Sequence, residues 1–151
     1  MVRTLKRVLL PFAIVASVSF AAPMASADPQ TTPPAGGSVN LELNKLEPVN
    51  GNCRAYVVVD NKSETTFKSY KIDLVLFQTD GIIGKRFSID LAPLRPHKKT
   101  VKLFDIDGLA CDKIGSLLVN DVMECKSDAG AAENCLQNLT TSTLGKVQLS
   151  K

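Results

Sequence analysis

The stretch SYKIDLVLF, residues 69–77, decides the fold class. Tyr70, Ile72, Leu74 and Leu76 alternate there with Ser69, Lys71 and Asp73. Successive side chains of a strand point to opposite faces, so a period of two predicts a β-strand with one apolar and one polar face. The run closes at Asp80 and Gly81 within TDG, residues 79–81, and KRFSIDL then repeats the alternation through Phe87, Ile89 and Leu91. Two such runs about a short Asp-Gly turn predict a hairpin.

The same pattern extends in both directions. Towards the N-terminus, CRAYVVVDN is a β-branched run ended by Asp60 and Asn61, and VNLEL sets Val39, Leu41 and Leu43 against Asn40 and Glu42. Towards the C-terminus, TVKLFDI and IGSLLVNDVMEC add two runs, and LGKVQL closes the series. About seven strands with turn signals at sandwich-like intervals predict an all-β chain, an antiparallel β-sandwich over residues 39–151, with a barrel as the alternative closure. Only DAGAAENCLQNL, after Ser127, has room for a helix, and a short one. The sequence has no internal repeat and no second domain.

What precedes residue 39 has a different character. Residues 1–27 carry a basic start (Arg3, Lys6, Arg7), an apolar run from Val8 to about Ala22, and the small residues Ala25, Ser26 and Ala27. This is the pattern of a secretory signal cleaved after Ala27. The apolar run is broken by Pro11 and Pro23 and is short for a hydrocarbon core of about 30 Å, which argues against a retained membrane span. The sequence has no adjacent Arg pair for folded export and no cysteine at the cleavage point to carry a lipid. The expected location is therefore the periplasm or outside the cell, by Sec export. DPQTTPPAGGS, residues 28–38, is rich in Pro, Thr and Gly without a hydrophobic period and is expected to be a flexible leader.

Signal removal changes the electrostatics. Three of the 18 Lys and Arg residues lie in it and none of the 15 Asp and Glu, so the formal charge of +3 becomes zero over residues 28–151. The basic excess that would suggest nucleic acid or anionic lipid thereby disappears. All four cysteines, Cys53, Cys111, Cys125 and Cys135, remain, and an even number in an exported chain points to disulfides. Three connectivities are open. Cys125 and Cys135 bracket the small polar loop KSDAGAAEN and are the easier pair to join, which leaves Cys53 for Cys111. In the chain-entropy model the long bridge contributes about 4 kcal/mol and the short one about 3. Spacings other than C-x-x-C and a single histidine do not suit zinc.

The segment VVVDNKSETTFKSYKIDLVLFQTDGIIGKRFSIDLAPLRPHKKTVKL, about a third of the chain, resembles the immunoglobulin-like domains of the FxLyD kind found in exported bacterial proteins. The matching positions are Asn61 and Ser63 at a strand end, Phe77 before Asp80 and Gly81, and Leu91, Pro93 and Leu94 before the next strand. Gln78 stands where an acidic residue is common, and His97 where glycine usually forms the turn. Tryptophan is absent, so the Trp packed on a disulfide in antibody domains cannot be present. The resemblance implies an immunoglobulin-like fold and an extracytoplasmic accessory role, and a fold alone implies no reaction.

A search for chemistry gives little. A Ser-His-Asp triad needs a base oriented by a carboxylate, and His97 is the only imidazole, in a predicted turn among Arg95, Lys98 and Lys99. No serine lies in a G-x-S-x-G elbow. DIDG, residues 105–108, has the look of a calcium loop, but position twelve from Asp105 is Ser116 where a Glu is required, so it reads as a turn around Gly108. Asn61 and Asn138 head the sequons NKS and NLT, which read as incidental in a chain with a bacterial style of signal. The aromatics fall at strand spacing, as core material, and phosphate-cradling glycine loops are absent. The expectation is a non-enzymatic accessory protein without cofactor or metal that binds another envelope protein. Arg95, His97, Lys98 and Lys99 in DLAPLRPHKKTVKL are the candidate contact. The alternatives are a carrier of a small ligand in a sandwich or barrel cavity, and, last, a small hydrolase.

Overall fold

The computed structural model describes residues 39–151, so the expected signal (1–27) and leader (28–38) lie outside the described residues. Nine strands are present among them: β1 (Val39–Val49), β2 (Asn52–Asn61), β3 (Phe67–Gln78), β4 (Ile83–Asp90), β5 (Lys98–Ile106), β6 (Ile114–Ser127), β7 (Gly130–Ala131), β8 (Leu139–Thr143) and β9 (Gln148–Ser150). They form two sheets. The first runs β5-β2-β1-β8; the second runs β4-β3-β6, with β7 and β9 both on the far edge of β6.

Local chemistry accounts for the long hairpins. β1 and β2 turn at Asn50 and Gly51, both at positive φ (49° and 81°), the backbone that suits Asn-Gly and matches strand twist. β3 and β4 turn at Thr79–Gly81 as expected: Asp80 Oδ1 accepts from Ile82 N at 3.0 Å, and Gly81 has φ 83°. The predicted alternation gives the faces. Tyr70, Ile72, Leu74 and Leu76 are buried, and they meet Leu41, Val57 and Val59 of the first sheet in one core. Tyr70 is the largest fully buried side chain; its hydroxyl donates to Cys135 O at 3.0 Å, and its ring meets Phe67 edge-on at 5.2 Å. Burial raises its phenol pKa.

The bridges join Cys53 to Cys111 and Cys125 to Cys135, the pairing favoured from spacing. The first ties β2 to the 3-10 turn at Cys111–Lys113 before β6. The second ties β6 to the connection after β7.

The C-terminal quarter differs from expectation. DAGAAENCLQNL forms no α-helix; it holds the β6–β7 turn, β7 and a second turn, closed by Asn138 N donating to Asn134 O at 2.9 Å. Asn134 lies in the left-handed region (φ 57°) and Cys135 is fixed to Cys125, so a helical path cannot propagate there. β8 was not foreseen, because LTTST has no apolar alternation. It pairs in parallel with β1, from Val39↔Leu139 to Leu43↔Thr143, and so borrows its order from a neighbour distant in sequence. Within LGKVQL only Gln148 and Leu149 are in a strand, β9, which pairs in parallel with β6.

Candidate functional site

The candidate residues lie where β4 leaves the second sheet and β5 enters the first. Asp90 ends β4 and its Oδ1 accepts from Ala92 N (3.0 Å) and Tyr70 N (3.1 Å). Leu91 is buried, the Ala92–Pro93 peptide is cis, and Leu94 is buried while exchanging two backbone hydrogen bonds with Phe67, both 2.9 Å. Two apolar anchors and one short backbone bridge therefore hold the connection on the core, and Arg95, Pro96 and His97 project beyond it.

Asn61, at the end of β2, pins this connection from below. It is fully buried, and its Nδ2 donates to Thr65 O at 2.8 Å and to Arg95 O at 3.0 Å. Its Oδ1 accepts from Ser63 N at 3.1 Å and Ser63 Oγ at 2.6 Å, and Ser63 Oγ accepts from Thr65 N at 3.2 Å. Every polar atom of the side chain is used, as burial demands. Glycosylation at the NKS sequon is thus closed to the folded chain, because both amide protons are already donated inside it.

The structure brings Arg95, Lys98 and Lys99 together and leaves His97 outside. Arg95, Lys98, Lys99 and Lys102 line an open groove of about 410 Å³ with Pro93, Thr100 and Val101 along β5, an edge strand of the first sheet. His97 sits in the turn at φ 51°, a left-handed conformation that glycine adopts more readily, and its Nε2 lies 2.8 Å from Glu64 Oε1 in solvent. Lys99 Nζ is 3.8 Å from Asp60 Oδ2. Lys102 donates to Ala92 O at 2.8 Å across to the β4–β5 connection. Sequence reasoning left Lys102 out of the candidate contact, although it shares the parity of Lys98 and Thr100 in the strand.

Other candidates resolve into structural roles. Asp105 of DIDG receives Arg54 through two bonds, Nε to Oδ1 at 2.6 Å and Nη2 to Oδ2 at 2.9 Å, and these hold its carboxyl below the usual range. Gly108, at φ 76°, makes the turn that follows. All four cysteines are bridged, so no thiol is available as a nucleophile. A polar cluster that sequence reasoning missed lies on the outer face of the second sheet. Asp73, 4 % exposed, accepts from Arg86 Nη2 and Asn120 Nδ2, both at 2.8 Å. The Arg86 guanidinium foremost, then Asn120, lowers the Asp73 pKa. Asn120 reaches it because β6 shifts register between its pairings with Asp73 and Leu74, an irregularity invisible in a simple alternation.

A cavity of about 150 Å³ is lined by Val39, Phe67, Tyr70, Glu133, Cys135 and Asn138, among others. Ordinary ligand sites take about 300–1,000 Å³; this cavity is smaller, and two more open depressions of about 290 and 340 Å³ lie elsewhere on the surface. No protein-family model, curated protein or solved structure matches the chain.

Proposed function

We propose that the protein is a non-enzymatic, exported accessory module that binds another envelope protein through the basic edge of its first sheet. The observation that carries this reading is the groove along β5, where Arg95, Lys98, Lys99 and Lys102 converge on a chain whose residues 28–151 are formally neutral. Charge gathered on one open edge gives a surface complementary to an acidic partner and steers its approach. Two disulfides are compatible with an oxidising compartment, where such bonds persist.

The sandwich is read here as immunoglobulin-like. The order β5-β2-β1 opposite β3-β6-β7 supports that, since it parallels the E-B-A and C-F-G strands of such domains. The resemblance to FxLyD-type domains gains a physical rationale from its own positions: Asn61 with Ser63, and Leu91 with Leu94, are what hold the β4–β5 connection.

Affinity capture from an envelope fraction at near-physiological salt tests the proposal. The wild-type exported protein is expected to retain a specific envelope protein, and Lys98→Glu with Lys99→Glu to weaken that retention about tenfold or more, with unchanged thermal stability. Retention that is indifferent to the charge reversal overturns it.

A further inference from the structure

We propose that the free edge of β5 receives an extended acidic peptide segment as an added strand, so that recognition runs through backbone pairing as well as through charge. This rests on the edge being the partner site. β5 pairs with β2 along nine residues, from Lys98↔Asn61 to Ile106↔Cys53, and no described strand pairs with its other side. An edge strand turns alternate N–H and C=O groups outward, a ready template for one more strand. The groove follows that edge over Lys98–Lys102, with Pro93 and Arg95 from the preceding connection beside it. Five residues of strand span about 17 Å, enough to seat an extended segment of similar length.

Charge and exposure specify the occupant. Arg95 and Lys98 have no carboxylate within salt-bridge distance among the described residues, and Lys99 has Asp60 only at 3.8 Å. An acidic segment would lie against Lys98 and Lys102, with Arg95 and Lys99 adding to the positive field of the same groove. The side chains of β5 alternate between the two faces of the sheet, so Val101 and Leu103, 58 % and 51 % exposed, share the outer face with Lys99, while Lys98 and Lys102 share the other. A strand laid beside them would best alternate apolar residues, level with Val101 and Leu103, with acidic ones level with Lys98 and Lys102. The other sheet's edge strand, β4, offers no comparable charge: Arg86 is held by Asp73, and Lys85 donates to Asp107 O at 2.8 Å.

The test uses the exported, oxidised protein and a synthetic peptide of about eight residues alternating Glu and Val. Binding is followed by calorimetry and by amide hydrogen exchange. The Glu-Val peptide is expected to bind and to slow exchange about tenfold or more at alternate amides of Lys98–Ile106, and a Lys-Val counterpart not to bind. Methylating the Val amides and methylating the Glu amides should give unequal results, since only one set faces β5 in an added strand. One methylated series should therefore lose affinity about tenfold and the other keep it. Equal binding by both, or binding without protection in β5, overturns strand addition and leaves a purely electrostatic contact. Protection of β5 in the free protein through self-association, not relieved by the peptide, assigns the edge to a second copy and also overturns it. Failure of the Glu-Val peptide to bind, while capture of an envelope protein still depends on Lys98 and Lys99, overturns strand addition alone. Capture indifferent to those lysines overturns the partner-site reading itself.

Discussion

Asn61 and His97 share one corner of the sandwich, and His97 N donates to the carbonyl of Ser63, whose hydroxyl in turn bonds Asn61. The fold treats the two side chains in opposite ways. Asn61 is 0 % exposed and fills its full hydrogen-bonding capacity with backbone and Ser63 partners. His97 is 58 % exposed in its side chain and meets only Glu64, itself in solvent. By residue type, a sole histidine among cations suggests chemistry, and an Asn in a sequon suggests a surface. The comparison teaches that burial and unmet bonds decide what a polar side chain does: losing a buried partner strands several groups without water, whereas losing an exposed one returns them to it.

Three substitutions test how far burial separates these side chains. Asn61→Ala should have the largest effect. It removes the donor to Arg95 O and one of two donors to Thr65 O, and takes the acceptor from Ser63 N and Oγ in a buried corner, for an expected loss of about 2–4 kcal/mol in urea denaturation of the oxidised protein. A loss under about 1 kcal/mol would mean that the corner is not pinned by this side chain.

A smaller effect, present at neutral pH and vanishing in acid, should follow Asp73→Asn. The folded-state pKa of Asp73 is lowered, so the stability its ionised form contributes is complete above the unfolded value, about 3.9, and is lost as pH falls through the folded one. The variant should therefore show a shallower decline in melting temperature below about pH 4, whereas Asn61→Ala, which removes no titrating group, should lower the whole curve without changing its slope. Identical acid limbs for wild type and Asp73→Asn would show that the pairing with Arg86 adds nothing.

His97→Gly should do least. Relief of the left-handed backbone, at about 1–2 kcal/mol, opposes the greater chain entropy of glycine at about 0.5–1. Together with the loss of an exposed pair, this should leave stability within about 1 kcal/mol of wild type by the same denaturation measurement. A large loss would place His97 among the structural residues and erase the contrast with Asn61.

How much was legible in advance follows the same division. The runs around Tyr70, Phe87 and Val57 were readable as strands because each carries its own alternation, and TDG because Gly81 supplies its own backbone angle. Spacing favoured the disulfide pairing, and close approach in the fold completes it. β8 and the Asp73–Arg86–Asn120 cluster were not readable: LTTST is ordered by β1 about a hundred residues away, and Asn120 is aimed by a register shift in β6. The basic groove was half legible. Clustering in sequence exposed Arg95, Lys98 and Lys99, but only the turn at His97 and the edge position of β5 separate the imidazole from the groove and add Lys102.

Composition, period and turn chemistry act over a few residues, and they suffice for an all-β chain, its even set of cysteines, its main hairpins and the neutrality that remains without residues 1–27. Packing between distant segments sets the parallel pairing of β8 and β9, the burial and full bonding of Asn61 against the exposure of His97, and the edge position of β5. Those outcomes depend on which groups lose water together, and that is settled by long-range packing.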